Sequence, residues 1–183
     1  MINNGKAALV AAALITIMSC AQKNETRTDS RYIGPSDIKV DDGRMTPEVL
    51  LSLGRLSDPQ LSPDGRWILY GVSYTSIEEN RSCRNLFLTE VTKNENGGFA
   101  FGDKVQLTAE GKSVSNARWS NDGKSIYYLQ GGQIFNSAIT IAGGKASLSD
   151  RKQISDIEAG IGEFSLSPDQ TQVLYTSTIP GAV

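Results

Sequence analysis

The chain has 183 residues, 39% hydrophobic and 21% charged, with 18 Lys and Arg against 20 Asp and Glu for a formal net charge of -2. That balance, with no basic stripe, leaves no electrostatic case for nucleic acid. Histidine is absent, so neither a Ser-His-Asp or Cys-His triad nor a His-bearing metal site can be assembled from these residues; the two cysteines, Cys20 and Cys83, encode no disulfide scaffold, and nothing in the sequence asks for a cofactor.

Met1 to Gly5 is short and polar, Lys6 adds a positive charge, and Ala7 to Met18 is almost unbroken in small and apolar residues. About a dozen apolar residues fall short of the ~20 that a helix needs to cross a bilayer, so residues 1–20 are expected to be a secretory leader. The run ITIMSC resembles the bacterial lipoprotein processing site. That resemblance implies lipid on Cys20, a membrane partner through that lipid and a place in the bacterial cell envelope. Ala21-Gln22, with no Asp in second place, implies the outer membrane, facing the periplasm. Residues 21–44 are polar with little periodicity and read as a tether, leaving 45–183 to fold.

A short helix opens the folded part. Thr46 suits an N-cap, Pro47 the first helical position, and Gly54 the end of Glu48 to Leu53, whose Val49, Leu50 and Leu53 are expected to pack on the edge of the structure that begins at Leu56.

Beyond it, three segments align by their turns: DPQLSPDGRWILY (Asp58 to Tyr70), NARWSNDGKSIYY (Asn116 to Tyr128) and EFSLSPDQTQVLY (Glu163 to Tyr175). The turn residues are Ser62, Pro63, Asp64 and Gly65, then Ser120, Asn121, Asp122 and Gly123, then Ser167, Pro168 and Asp169. Proline fixes φ, the aspartate accepts from backbone beyond it, and glycine takes a positive φ without strain. Gln170 stands where the third copy would have glycine, so that turn is expected to be strained or of another type, and the least regular.

Trp67 to Val72, Ser125 to Leu129 and Gln172 to Thr176 then read as strands, with Asn85 to Val91 and Gln133 to Thr140 as third strands. TKNENGG reads as a hairpin tip, Ile141 to Asp150 as containing a Gly-rich loop, and Val105 to Thr108 and Gln153 to Ser155 as the close of each unit. Gln106 to Ser120 and Gln153 to Ser167 are both 14 residues, so the unit repeats as a whole. The steps from Ser62 to Ser120 and from Ser120 to Ser167 are 58 and 47 residues, near the ~40–50 of a four-stranded propeller blade. The expected fold is all-β: a partial β-propeller of two four-stranded antiparallel blades and the start of a third, over residues 56–108, 115–155 and 163–183. Trp67, Trp119, Tyr70, Tyr128 and Tyr175 are expected between blades, and Cys83 as a buried small residue.

MTPEVLLSLGRLSDPQLSPDGRWILYGVSY (Met45 to Tyr74), with NLFLTEV and VQLTAEGKSVSNARWSNDGKSIYYL, resembles the opening of the β-propeller domain in the prolyl oligopeptidase family of serine peptidases, of the bacterial dipeptidyl or acylaminoacyl peptidase type. The resemblance implies a propeller that caps a C-terminal α/β-hydrolase domain and admits short peptides. None of the hydrolytic machinery is present: no Gly-x-Ser-x-Gly elbow occurs and no histidine. These residues are therefore expected to hold no catalytic group. Glu78-Glu79 superficially resembles the acidic pair by which dipeptidyl peptidases hold a substrate amine, but the match is two residues long and the surrounding sequence does not support carrying the role over, so the pair reads as a solvated loop. The turn motif is shared with Tol-type propellers, so the alternative expectation is a non-enzymatic propeller lipoprotein that binds protein or glycan partners.

Overall fold

The computed structural model describes residues 32–40, 42–179 and 181, so Cys20 and the expected leader lie outside the described residues. The described chain is all-β apart from one short helix, and it is a partial β-propeller. Helix α1 spans Pro47–Ser52, with Thr46 Oγ1 accepting from Val49 N at 3.3 Å. As expected the helix lies against the first sheet, beside the strand Trp67–Ser76, but the packing is partial: Val49 is half-buried, Leu50 and Leu53 stay half-exposed, and none of its residues is fully buried. Gly54 is required by a close approach: a Cβ there would stand 2.7 Å from Tyr74 Cε1.

The first blade comprises β1 (Arg55–Leu61), β2 (Trp67–Ser76), β3 (Arg81–Lys93), β4 (Phe99–Phe101) and β5 (Val105–Gln106), all antiparallel. Its fourth position is split. β4 continues the far end of β3, pairing Val91 with Phe101, while β5 pairs Phe87 with Gln106. The sequence reading placed the fourth strand at Val105 to Thr108 and missed β4, because three residues between glycines carry too little periodicity to register.

The second blade is the regular sheet β6 (Val114–Trp119), β7 (Ser125–Gln130), β8 (Gln133–Ala142) and β9 (Lys145–Gln153). Gly131-Gly132 and Gly143-Gly144 all have positive φ, as the two-residue turns between right-twisted antiparallel strands require. The second pair turns β8 directly into β9 and is the Gly-rich loop expected within Ile141 to Asp150, the rest of that stretch being strand. β10 (Phe164–Leu166) and β11 (Val173–Tyr175) form the start of the third blade.

Strand alternation gives each sheet two apolar faces. Leu69, Leu86 and Leu88 from one face of the first blade pack against Val114, Ala117, Trp119, Ile126, Tyr128 and Ile139 of the second. Leu129 and Ile134 of the second meet Ile161 and Phe164 at the third. On its other face the first blade gathers Tyr70, Val72, Tyr74, Cys83 and Phe87 around Ile33, a residue of the stretch that reads as tether. Tyr32 Oη donates to Gln106 Oε1 at 3.2 Å beside it. Trp119 and Tyr128 thus lie between blades as expected, whereas Tyr70 faces away from the second blade and Tyr175 is exposed, for want of a sheet against it among the described residues.

Candidate functional site

The three turns share one hydrogen-bond pattern. Ser62, Ser120 and Ser167 each donate Oγ to the aspartate two residues on, at 2.5, 2.6 and 2.6 Å. Each hydroxyl also accepts the backbone N–H five residues on, at 2.9 Å. Gly65, Gly123 and Gln170 N–H donate back to the same serines' carbonyls at 2.9, 2.9 and 2.8 Å. The donated hydroxyl and then a backbone N–H, of Arg66, Lys124 or Thr171, hold the Asp64, Asp122 and Asp169 carboxyls below their ordinary pKa. Every turn aspartate is thus committed to structure.

Gln170 keeps the glycine conformation at φ 55°, so the third turn is strained rather than of another type, and it is as regular as the others in its hydrogen bonds. Its side chain has a use that sequence reading missed. Oε1 accepts from Asn121 N at 3.0 Å and Nε2 donates to Trp119 O at 2.9 Å, clamping the third turn on the second. Between the first two turns no such clamp forms, because Gly123, which has no side chain, stands at the place of Gln170, and Pro63, which has no N–H, at the place of Asn121.

Four residues before each turn serine stand Asp58, Asn116 and Glu163. Asp58 and Asn116 both have φ 51° and sit at matching bulges in β1 and β6. A bulge bends its strand and re-aims the side chain. Here both side chains reach the next blade: Asp58 Oδ2 accepts from Arg118 Nη1 at 2.8 Å, and Asn116 Nδ2 donates to Phe164 O at 2.8 Å. These residues, with Arg84, Glu163 and Tyr175, line a cleft of about 760 Å³ bounded by β1 and β3 of the first blade, β6 of the second, and β10 and β11 of the third.

The cleft holds two guanidiniums and two carboxylates. Such a set can orient a polar or zwitterionic chain. Among the described residues no cluster of three or more His, Cys, Asp or Glu could hold a metal. Glu78 and Glu79 lie at the exposed tip between β2 and β3, where Glu79 pairs with Arg81 at 2.8 Å; Cys83 is buried in β3.

No family model matches the chain. Dipeptidyl-peptidase 5 of Porphyromonas endodontalis is 33% identical over 135 residues, covering 74% of this chain and 18% of that protein. Dipeptidyl-peptidase 5 of Porphyromonas gingivalis is 34% identical over 137 residues, covering 74% and 18%. The chain is related to bacterial peptidases. A third relative, the uncharacterized peptidase YuxL of Bacillus subtilis, is 25% identical over 138 residues, covering 74% of this chain and 19% of its own. The 183 residues therefore span about a fifth of the length of the relatives they match.

Proposed function

We propose that this chain is the non-catalytic, N-terminal propeller part of a membrane-anchored serine peptidase that hydrolyses short peptides. Its role is to shape access to a hydrolase domain supplied by polypeptide outside these residues. The observation that carries the reading is similarity over 74% of the chain to proteins named as dipeptidyl-peptidases, confined to 18% of their length. The absent histidine agrees with it, because acyl transfer by a serine needs a base. The cleft lined by Asp58, Arg84, Arg118 and Glu163 is where a peptide's charged groups would be met before chemistry. Lipid on Cys20 holds the assembly at the envelope.

Hydrolysis of chromogenic dipeptide substrates tests the catalytic division. The 183-residue chain is expected to release no product, and a longer product of the same gene to release it by a route blocked by serine-directed reagents. Cleavage by the short chain, or none by a longer one, would overturn the reading. Labelled fatty acid should enter the wild-type chain and not Cys20→Ser; equal labelling of both refutes the anchor.

A further inference from the structure

The repeat allows the two interfaces between successive blades to be compared position by position. Between the second blade and the third, the Gln170 side chain bridges Asn121 N and Trp119 O, and Asn121 Nδ2 donates to Pro168 O at 2.7 Å, so the two turns are locked together. Between the first blade and the second, Gly123 and Pro63 hold those places, and the turns leave a crevice of about 520 Å³. Both flanking sheets have all four strand positions filled, so the opening is a property of this interface itself. It shares no lining residue with the cleft at Asp58 and Arg118.

The lining is also particular to this interface. Trp67 of the first blade and Trp119 of the second line it together with Ile139 and Ile141, whereas the next interface has Ser125 and Leu166 at the places of the two indoles. Asp64 and Asp122, both exposed, supply carboxylates, and with Lys124 as the one cation the crevice is net negative. Each aspartate spends Oδ1 on its own turn and has no hydrogen bond at Oδ2 among the described residues. In the third turn, by contrast, Asp169 Oδ2 accepts from Thr171 Oγ1 at 2.9 Å.

We propose that this crevice binds the arginine side chain of a peptide. A guanidinium fits both halves of the lining: its flat face stacks on indole, its N–H fork donates to the open carboxylate oxygens, and its apolar stem covers the isoleucines. A lysine ammonium, compact and strongly hydrated, makes less use of the indole faces. This inference goes beyond the peptidase reading and does not depend on it.

NMR on the 183-residue chain tests it, because the two tryptophans give two indole N–H signals. The probe is acetyl-arginine amide, with acetyl-citrulline amide as its uncharged counterpart. The arginine probe is expected to shift the Trp67 indole signal, assigned through Trp67→Phe, to saturation with a dissociation constant on the order of 1 mM, as for a ligand of its size. The citrulline probe should bind about tenfold more weakly or worse, for want of the charge. Gly123→Gln supplies the side chain that locks the next interface. Its Cβ would lie 3.7 Å from Pro63 Cδ, an ordinary contact, and Gln170 already holds the same left-handed backbone in the third turn. That variant should keep the wild-type circular dichroism spectrum and lose about tenfold or more in affinity for the arginine probe. Asp64→Asn/Asp122→Asn should weaken the arginine probe to the level of citrulline. No saturable shift in the wild type, equal binding of the two probes, or undiminished arginine binding by either folded variant would each overturn the proposal.

Discussion

Leu69 and Leu174 offer a comparison in which sequence position in the repeat is the same and only the covering sheet differs. Leu69 is fully buried between the first and second blades, and Leu174 is 77% exposed on the third. Truncating Leu69 to alanine removes buried methyl groups and leaves a cavity that the flanking Leu86, Leu88 and Trp119 cannot fill without moving, a cost of about 3 kcal/mol. Truncating Leu174 removes the little burial it has; a quarter of a leucine's transfer free energy is about 0.5 kcal/mol. Urea unfolding of Leu69→Ala and Leu174→Ala, at concentrations where the chain is monomeric, should therefore give midpoints that differ by more than 2 kcal/mol in stability, on the order expected for core against surface leucines. Equal losses, or a larger loss for Leu174, would refute the argument that each sheet draws its stability from its neighbour.

Replacing Gln170 by alanine should cost about 1–2 kcal/mol, since two inter-blade hydrogen bonds go while the left-handed backbone stays; Gln170→Gly should recover about 1 kcal/mol of that in the same unfolding assay. Asn85 is fully buried with Oδ1 and Nδ2 unpaired among the described residues, so Asn85→Leu should stabilise the chain by about 1–3 kcal/mol, and a loss of stability would show that the amide has a partner. The Asp64, Asp122 and Asp169 carboxyls have folded pKa values below the ordinary 3.8, so their contribution is complete above that value and is lost as pH falls through the folded pKa values. An acid titration of stability should accordingly be flatter below about pH 4 in the triple Asp→Asn variant, and identical acid limbs would contradict the turn geometry.

Much of the fold could be read from the chain because its turns announce themselves. Serine, aspartate and a residue at positive φ recur in register, and each has a physical duty that the three turns repeat to within a few tenths of an ångström. What escaped reading was of two kinds. Short pieces such as β4 are held by pairing with the end of β3 and not by their own pattern. Long-range contacts such as Gln170 with Trp119, or Asp58 with Arg118, join residues about 50 to 60 apart, where nothing local predicts a partner. The cleft belongs to the second kind. Asp58, Asn116 and Glu163 share one repeat position, and that alignment was the signal that could have found it; the reach of Asp58 and Asn116 into the next blade depends on bulges that sequence does not mark.

Native-state hydrogen exchange on the monomeric chain tests most directly whether these sheets form a row in which each is held by the next. Amides of Ile126 to Leu129, in a strand covered on both sides, should exchange only through global unfolding, whereas those of Val173 to Tyr175 should exchange through local opening at much lower free energy. Equal protection of the two strands would contradict the account.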